Sequence, residues 1–340
     1  MICARPCCCW PFWLVLSVVC PLAQSFGKAA VMTTDPLNAI YDLTARKYVL
    51  LLGAGGQLGQ ECAAQLAKQG ISLFAPPRHD LDLVELSPLL HAIKAHPPAV
   101  LVNAAAFTDV DGAETLRLEA RQINADVPGL LAEVAADMGV RLIHVSTDFV
   151  FSGEGSTPYF ESDKTGPVNW YGATKRAGER AVRMSAPETV ILRTAWLHGR
   201  HRRCFVHAMA DKLARGEQIS AVNDRFGSPT SAAMLASHIT RLCNRIVEGD
   251  AIEAGIFHCA GIGAASPYDM ATEIADHLGV DRDLVSPVSA AQRGEIAARP
   301  HFAVLDCSKI ARHLRLPCQP WQEGIRQTLT QSGIPEGKIA

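Results

Sequence analysis

Short apolar runs and longer amphipathic stretches alternate along most of this chain. Runs of strand length are Lys47–Leu52, Ile71–Phe74, Pro98–Asn103, Arg141–Val145, Val190–Leu192 and Gly255–Cys259. Apolar residues at helical spacing fill Glu61–Gln69, Leu86–His96, Glu114–Gly139, Tyr171–Met184, Ala232–Ile246 and Pro267–Leu278. The helix over 114–139 is expected to break or kink near Pro128, which has no N–H to donate. Gly153–Asn169 is rich in Gly, Pro and acids and reads as a loop. Strands alternating with helices in this way predict an α/β fold built on a doubly wound parallel sheet. In such sheets the ligand sits at the carboxyl ends of the strands.

The first strand runs into Gly53-Ala-Gly-Gly56-Gln-Leu-Gly59, and a helical pattern follows. Strand, glycine turn and helix is the context of a dinucleotide fingerprint, so the sheet is expected to be of the Rossmann type. Gly53 permits the tight turn. Gly56 lets a pyrophosphate approach the helix N-terminus, where free N–H groups favour an anion. Gly59 lets the helix lie close on the sheet. The spacing is Gly-x-x-Gly-x-x-Gly, a weak signal without its context.

A second stretch supplies the chemistry. Ser146-Thr147-Asp148 ends an apolar strand, and Tyr171-Gly-Ala-Thr-Lys175 opens a helix. Positions i and i+4 share a helix face, so the Tyr171 phenol and the Lys175 ammonium are expected in one cleft. A cation beside a phenol stabilises the phenolate, which predicts a Tyr171 pKa drawn from about 10 towards neutrality. Such a phenol can exchange a proton with a carbonyl or alcohol oxygen, and Thr147 can hydrogen-bond the same oxygen. With a hydride donor alongside, this is machinery for reversible carbonyl reduction. The strand ending at Phe74 is followed by no acid before Asp80, and Arg78 stands where it can meet a 2′-phosphate, which favours NADPH.

Composition changes this picture little. The chain has 340 residues, 48% hydrophobic and 19% charged, as in a globular enzyme. A net charge of −2 gives no reason to expect nucleic acid as a partner. Five of eleven cysteines lie in the first 20 residues; the other six are scattered, without zinc-like spacing, as in a reduced cytoplasmic protein. The apolar stretch Cys7–Ala23 carries two prolines and is a poor membrane span. It reads either as an export signal or as sequence ahead of a true start at Met32, and residues 1–45 carry none of the chemistry. His198, His201, Cys204 and His207 recur every three residues, but interleaved arginines oppose a cation, and no metal is assigned.

The motifs named so far, with Leu81-Asp-Leu83, Val102–Asp111, Arg193-Thr-Ala-Trp196, Asn223–Thr230 and Arg299-Pro300, resemble the extended short-chain dehydrogenase/reductase family. Within it they are most similar to a branch that reduces nucleotide-linked 4-ketohexoses, from about Tyr48 to about Leu329. The resemblance implies Thr147, Tyr171 and Lys175 as catalytic residues. It implies a cofactor site of Gly53, Gly56, Gln57, Leu58, Gly59, Arg78, Asp82, Leu83, Ala104, Ala105, Ala106, Tyr171 and Lys175, for NADPH or NADH. It implies a sugar site of Thr147, Asp148, Trp196 and Arg299. A dinucleotide domain of 46–198 with 229–262, and a smaller C-terminal substrate-binding region of 199–228 with 263–330, are expected. Glu61 and Glu217 match glutamates that hold magnesium between subunits in the family, but Gln218 stands where a further acid is expected, so Mg2+ is a doubtful second cofactor. The resemblance admits a homodimer, and a nucleotide-sugar as the partner rather than a membrane. Another reductase or epimerase of the family stays open. So does a non-catalytic regulator like the methionine adenosyltransferase beta subunit, whose C-terminal segment Leu305–Lys309 resembles.

Overall fold

Six parallel strands are hydrogen-bonded in the order β2-β1-β3-β4-β5-β9. The computed structural model describes residues 47–77 and 86–337. The expectations for residues 1–45, and for Arg78, Asp82 and Leu83, lie outside the described residues. In chain order the strands are β1 (Tyr48–Leu52), β2 (Ser72–Phe74), β3 (Val100–Asn103), β4 (Arg141–Thr147), β5 (Val190–Thr194), β6 (Leu197–His198), β7 (Ile219–Val222), β8 (Thr230–Ser231), β9 (Gly255–His258) and β10 (Val285–Val288). The helices are α1 (Gln57–Lys68), α2 (Ser87–Ala95), α3 (Val110–Thr115), α4 (Arg117–Arg121), α5 (Val127–Asp137), α6 (Trp170–Ser185), α7 (Phe205–Ala214), α8 (Ala232–Glu248), α9 (Pro267–Leu278) and α10 (Trp321–Gln331). This is the doubly wound Rossmann-type sheet that the alternation predicted.

The strands are apolar without a break because both faces of the sheet are covered. Val49, Leu51, Val102, Ile143, Leu192 and Phe257 face one core, closed by α1 and α8. Leu50, Leu52, Leu101, Leu142 and Ile191 face the other, closed by α2, α5 and α6. A fully buried Leu or Val contributes about 1.5–3 kcal/mol, so apolar residues win at successive strand positions. A third core joins α7, α9 and α10 to the parallel pair β7 and β10. Trp196 packs on the first core and on this third one.

The strand order reverses between β1 and β3, where Leu52 is paired with Asn103. That reversal is the switch point at which such sheets open a crevice. The helix expected to break or kink near Pro128 is distorted there and is also interrupted further upstream. The stretch 114–139 is interrupted at Leu116 and carries a π-helical turn at Gln122–Asp126, just before Pro128. Pro128 cannot donate to the Asn124 carbonyl, and the wider turn absorbs that loss. The freed side of Asn124 is where Gly178 of α6 packs: a Cβ there would lie 2.1 Å from the Asn124 oxygen. Among the described residues no helix is long and apolar enough to cross a membrane.

Candidate active site

Four neighbouring strand ends build one edge of the crevice: Gly53 after β1, Ala104 after β3, Thr147 at the end of β4 and Trp196 just beyond β5. Their proximity follows from parallel register, which pairs Asn103 with His144 and Thr147 with Thr194.

The glycine turn is shaped by close approach. Gly53 has φ +82°, and a Cβ on it would stand 2.6 Å from the Ala105 nitrogen. A Cβ on Gly59 would lie 2.1 Å from the Gly53 oxygen. Gly56 is the N-cap of α1 and no side chain caps its N–H groups, while nothing lies within 4 Å of a Cβ built on Gly55. Open space in front of uncapped helix N–H groups fits a dinucleotide pyrophosphate. Ala104, Ala105 and Ala106 are partly buried beside this turn, and Asn103 Oδ1 accepts from the Ala105 N–H at 3.1 Å. Leu58 offers only its backbone, because its side chain is in the core. The Gln57 amide is likewise committed, donating to the Gly199 carbonyl at 2.7 Å and accepting from the Arg202 N–H at 2.7 Å.

Asn169 caps α6, accepting from the Gly172 N–H at 2.8 Å, and starts the helix so that Tyr171 and Lys175 face β4. Gly172 presses on the turn after Thr147, where a Cβ would meet the Phe149 carbonyl oxygen at 2.1 Å. The Phe149 and Tyr171 rings pack edge to face with centroids 5.5 Å apart. Lys175 is 2% exposed and donates to the Val145 carbonyl at 2.8 Å. Burial pushes its pKa down to about 8, opposed by the Glu179 carboxylate.

The Tyr171 pKa moves the other way from the sequence expectation. The residue as a whole is only partly buried, but its surroundings are closely packed, and burial pushes the phenol up to about 12. The Thr147 hydroxyl opposes this rise and the Asp148 carboxylate adds to it. Lys175 does not counter it, because its ammonium is itself desolvated and turned to the Val145 carbonyl. Asp148 is 1% exposed. Its Oδ1 accepts from the Thr147 hydroxyl at 2.9 Å, while Oδ2 is buried without a protein partner among the described residues. Burial lifts this carboxyl to about 7.

Trp196 has φ +42°, a left-handed conformation that is strained for a bulky side chain. Its indole lies on Gly227, where a Cβ would come within 2.5 Å of the ring. Arg299 is held by Asp111, with Nη1 and Nη2 at 3.1 and 2.9 Å from the two carboxylate oxygens. Asp111 also accepts from the Ala297 N–H, and Arg299 first, then that amide, holds its carboxyl below the ordinary range.

Two contributors carry no sequence signal of their own. Glu179 lies under Lys175, paired with Arg193 through two contacts of 2.8 and 2.7 Å and accepting from Ser146 at 2.6 Å. Asn124, on the π-helical turn, donates to the Thr174 hydroxyl at 3.2 Å and accepts from the Phe107 N–H. A residue one turn beyond Lys175 on a mixed helix, and an Asn ahead of a proline, are too common to single out.

The histidine series does not converge. His198 bonds Thr328, His201 bonds Glu61, and Cys204 and His207 bond each other at the N-cap of α7. Glu61 is also paired with Arg200, and Glu217 with Arg215. Both glutamates therefore already face cations of this chain.

The RmlD substrate binding domain family matches residues 46–334. The chain is 38% identical over 284 residues to a probable dTDP-4,6-dihydroxy-2-methyloxan-3-one 4-ketoreductase of Streptomyces antibioticus, covering 82% of this chain and 93% of that one. It is 38% identical over 280 residues to the dTDP-4-dehydrorhamnose reductase of Streptomyces griseus, covering 82% and 92%. A solved dTDP-4-dehydrorhamnose reductase of Bacillus anthracis in complex with NADP superposes with a TM-score of 0.76 at 31% identity, over 84% of this chain and 99% of that one.

Proposed function

The chain belongs to the RmlD substrate binding domain family, and from that premise we propose that it reduces the C4 ketone of dTDP-4-dehydro-L-rhamnose to dTDP-L-rhamnose with NADPH or NADH. One observation carries the reading. Thr147 and Asp148 at the end of β4, and Tyr171 and Lys175 on α6, meet across the Gly172–Phe149 contact, beside an open glycine turn.

The reduced nicotinamide supplies the hydride that the carbonyl carbon accepts. The chain's own residues do the rest. Gly53, Gly56 and Gly59 with the backbone of Gln57 and Leu58 hold the pyrophosphate, and Ala104–Ala106 leave room for the ribose on the nicotinamide side. Arg78, Asp82 and Leu83 take the adenosine end, Arg78 favouring a 2′-phosphate. Lys175 binds the ribose hydroxyls and Thr147 bonds the carbonyl oxygen. Tyr171 gives the proton. A phenol lifted to about 12 is fully protonated at neutral pH, and a developing alkoxide is far more basic, so the transfer is downhill in the reducing direction. Asp148 offers its unpartnered oxygen to a sugar hydroxyl. Trp196 packs on the sugar, and Arg299 closes the site from the C-terminal side.

Residues 46–198 with 229–262 are read as the dinucleotide part, and 199–228 with 263–330 as the part that holds the sugar nucleotide, consistent with the separate third core. The protein is placed in the cytoplasm, where both substrates are made. A homodimer is compatible with this reading, and the chemistry requires no metal. One observation favours a second reading: a relative named for a different 4-keto sugar is as similar as one named for dehydrorhamnose. The deciding experiment is NADPH oxidation with dTDP-4-dehydro-L-rhamnose, in competition with other dTDP-4-keto sugars, beside Tyr171→Phe. Turnover lost in that variant supports the reductase. No turnover by a folded, cofactor-binding protein moves the assignment to another sugar or to a regulator.

A further inference from the structure

Four side chains that this chemistry does not use meet behind the last strand of the sheet. His238 is on α8, Cys259 directly follows β9, and Cys307 and Cys318 flank the π-helical turn Ile310–Leu314. Nδ1 of His238 lies 3.5 Å from the Cys259 sulfur, and the ligand atoms of His238, Cys259 and Cys318 are all within 4.8 Å of one another. Cys307 adjoins this set through Ala260, the residue after Cys259, with its sulfur 3.5 Å from the Ala260 carbonyl oxygen. All four residues are less than a tenth exposed.

We propose that His238, Cys259, Cys307 and Cys318 form a structural zinc site, of Cys3His type, that clasps the C-terminal segment to the edge of the main sheet. His238, Cys259 and Cys318 need little adjustment, whereas the Cys307 thiol has to turn from the Ala260 carbonyl onto the ion. Tetrahedral zinc with Zn–S of about 2.3 Å and Zn–N of about 2.0 Å places a sulfur and a nitrogen roughly 3.6 Å apart. The Cys259–His238 distance already matches. The outer contacts are those of a ligand set. Nε2 of His238 donates to the Pro317 carbonyl at 3.1 Å, which leaves the Nδ1 lone pair pointing to the sulfurs. The Ala260 N–H donates to the Cys307 sulfur at 3.3 Å, a contact suited to a thiolate. Three sulfurs and an imidazole, with no carboxylate, select a soft or borderline ion such as Zn2+ over Mg2+.

A disulfide does not account for this cluster. Three sulfurs allow one bridge and leave a thiol over, and all are free cysteines. The position gives the ion a task. Residues 303–320 return along the sheet edge through isolated bridges, Tyr159 with Leu305 and Ile262 with Pro320, rather than through a continuous strand. Four metal bonds would tie that return to α8 and β9. Binding displaces the thiol protons to solvent, so affinity falls in acid.

The test uses the full chain, produced with zinc in the medium and kept reduced. Metal content by mass spectrometry is expected to be one zinc per chain. Chelated protein titrated with Co2+ is expected to give thiolate charge-transfer absorption and the intense visible bands of a tetrahedral site, saturating at one equivalent. Those bands should disappear in Cys259→Ser and Cys318→Ser, weaken in Cys307→Ser, and persist in Glu61→Gln, which removes the other His-bearing cluster. Should a serine variant fail to fold, the wild-type Co2+ spectrum decides alone. Wild-type protein that holds no zinc and gives no thiolate–cobalt band overturns the proposal, as does a disulfide between any two of the three cysteines.

Discussion

Gly172 of α6 rests on the carbonyl of Phe149 so closely that a methyl group at 172 would lie 2.1 Å from the oxygen. This contact sets the distance between the helix that carries Tyr171 and Lys175 and the turn that carries Thr147 and Asp148. Gly172→Ala is therefore expected to push the two apart. A misplacement of about 1 Å costs on the order of 100-fold in rate, and overpacking costs about 1–3 kcal/mol of stability. Steady-state kcat and a denaturant midpoint, measured on the same preparation, check both. A variant with wild-type kcat would mean that the contact does not position the acid.

Burial holds the Tyr171 phenol at about 12, so its neutral form dominates from acid to mildly alkaline pH. The reductive rate should show no alkaline loss attributable to Tyr171 below about pH 9. The reverse oxidation needs the phenolate and should climb roughly tenfold per pH unit over the same range. A plateau in the oxidation profile near neutrality would instead indicate a phenolate stabilised by Lys175 once cofactor is bound. Tyr171→Phe should lower the reductive rate by about 100- to 10,000-fold and leave NADPH binding in place, as measured by fluorescence titration.

Asp148 gives a stability signature. Its folded pKa, about 7, is above its ordinary value of 3.8. The native state therefore binds the proton more tightly, and the stability it contributes is full below about pH 4 and is lost as pH rises through 7. The whole effect is up to about 4 kcal/mol, at about 1.4 kcal/mol per unit. Asp148→Asn removes it. The stability of this variant relative to wild type should rise between pH 4 and 7 and level off above, in urea melts across that window. A pH-independent difference would place the carboxyl near its ordinary value.

Glu179 and Arg193 form an almost wholly buried ion pair beneath Lys175. Removing one partner of such a pair costs about 3–5 kcal/mol because the other charge is left uncompensated. Glu179→Ala should lose that much, while a Glu179→Ala/Arg193→Met double variant should recover part of it. An additive double variant would show that the two charges do not depend on each other.

Trp196 and Gly227 give the fifth expectation. A Cβ at 227 meets the indole at 2.5 Å, so Gly227→Ala should turn the ring out of place. With Trp196 on the sugar, KM for the sugar nucleotide should rise about tenfold or more, while the Kd for NADPH should not change. Equal effects on both would make Trp196 a core residue only.

Much of this protein was legible in its sequence because local rules govern those parts. Apolar strand runs, amphipathic helices and the Gly53–Gly59 turn depend on residues within a few positions of each other, and they placed the sheet and the crevice. The four-residue spacing of Tyr171 and Lys175 put both on one helix face for the same reason. What only the tertiary structure decided involves pairs far apart in the chain and the solvent they exclude. The Tyr171 pKa rises because desolvation outweighs a lysine that is itself buried, and burial cannot be read from spacing. Glu179 meets Arg193, Gly178 meets Asn124, and His238 meets Cys259 only after parallel strands and their helices have been packed together. The local sequence determined which elements form, and the packing of those elements determined which charges, thiols and hydroxyls share a dry space.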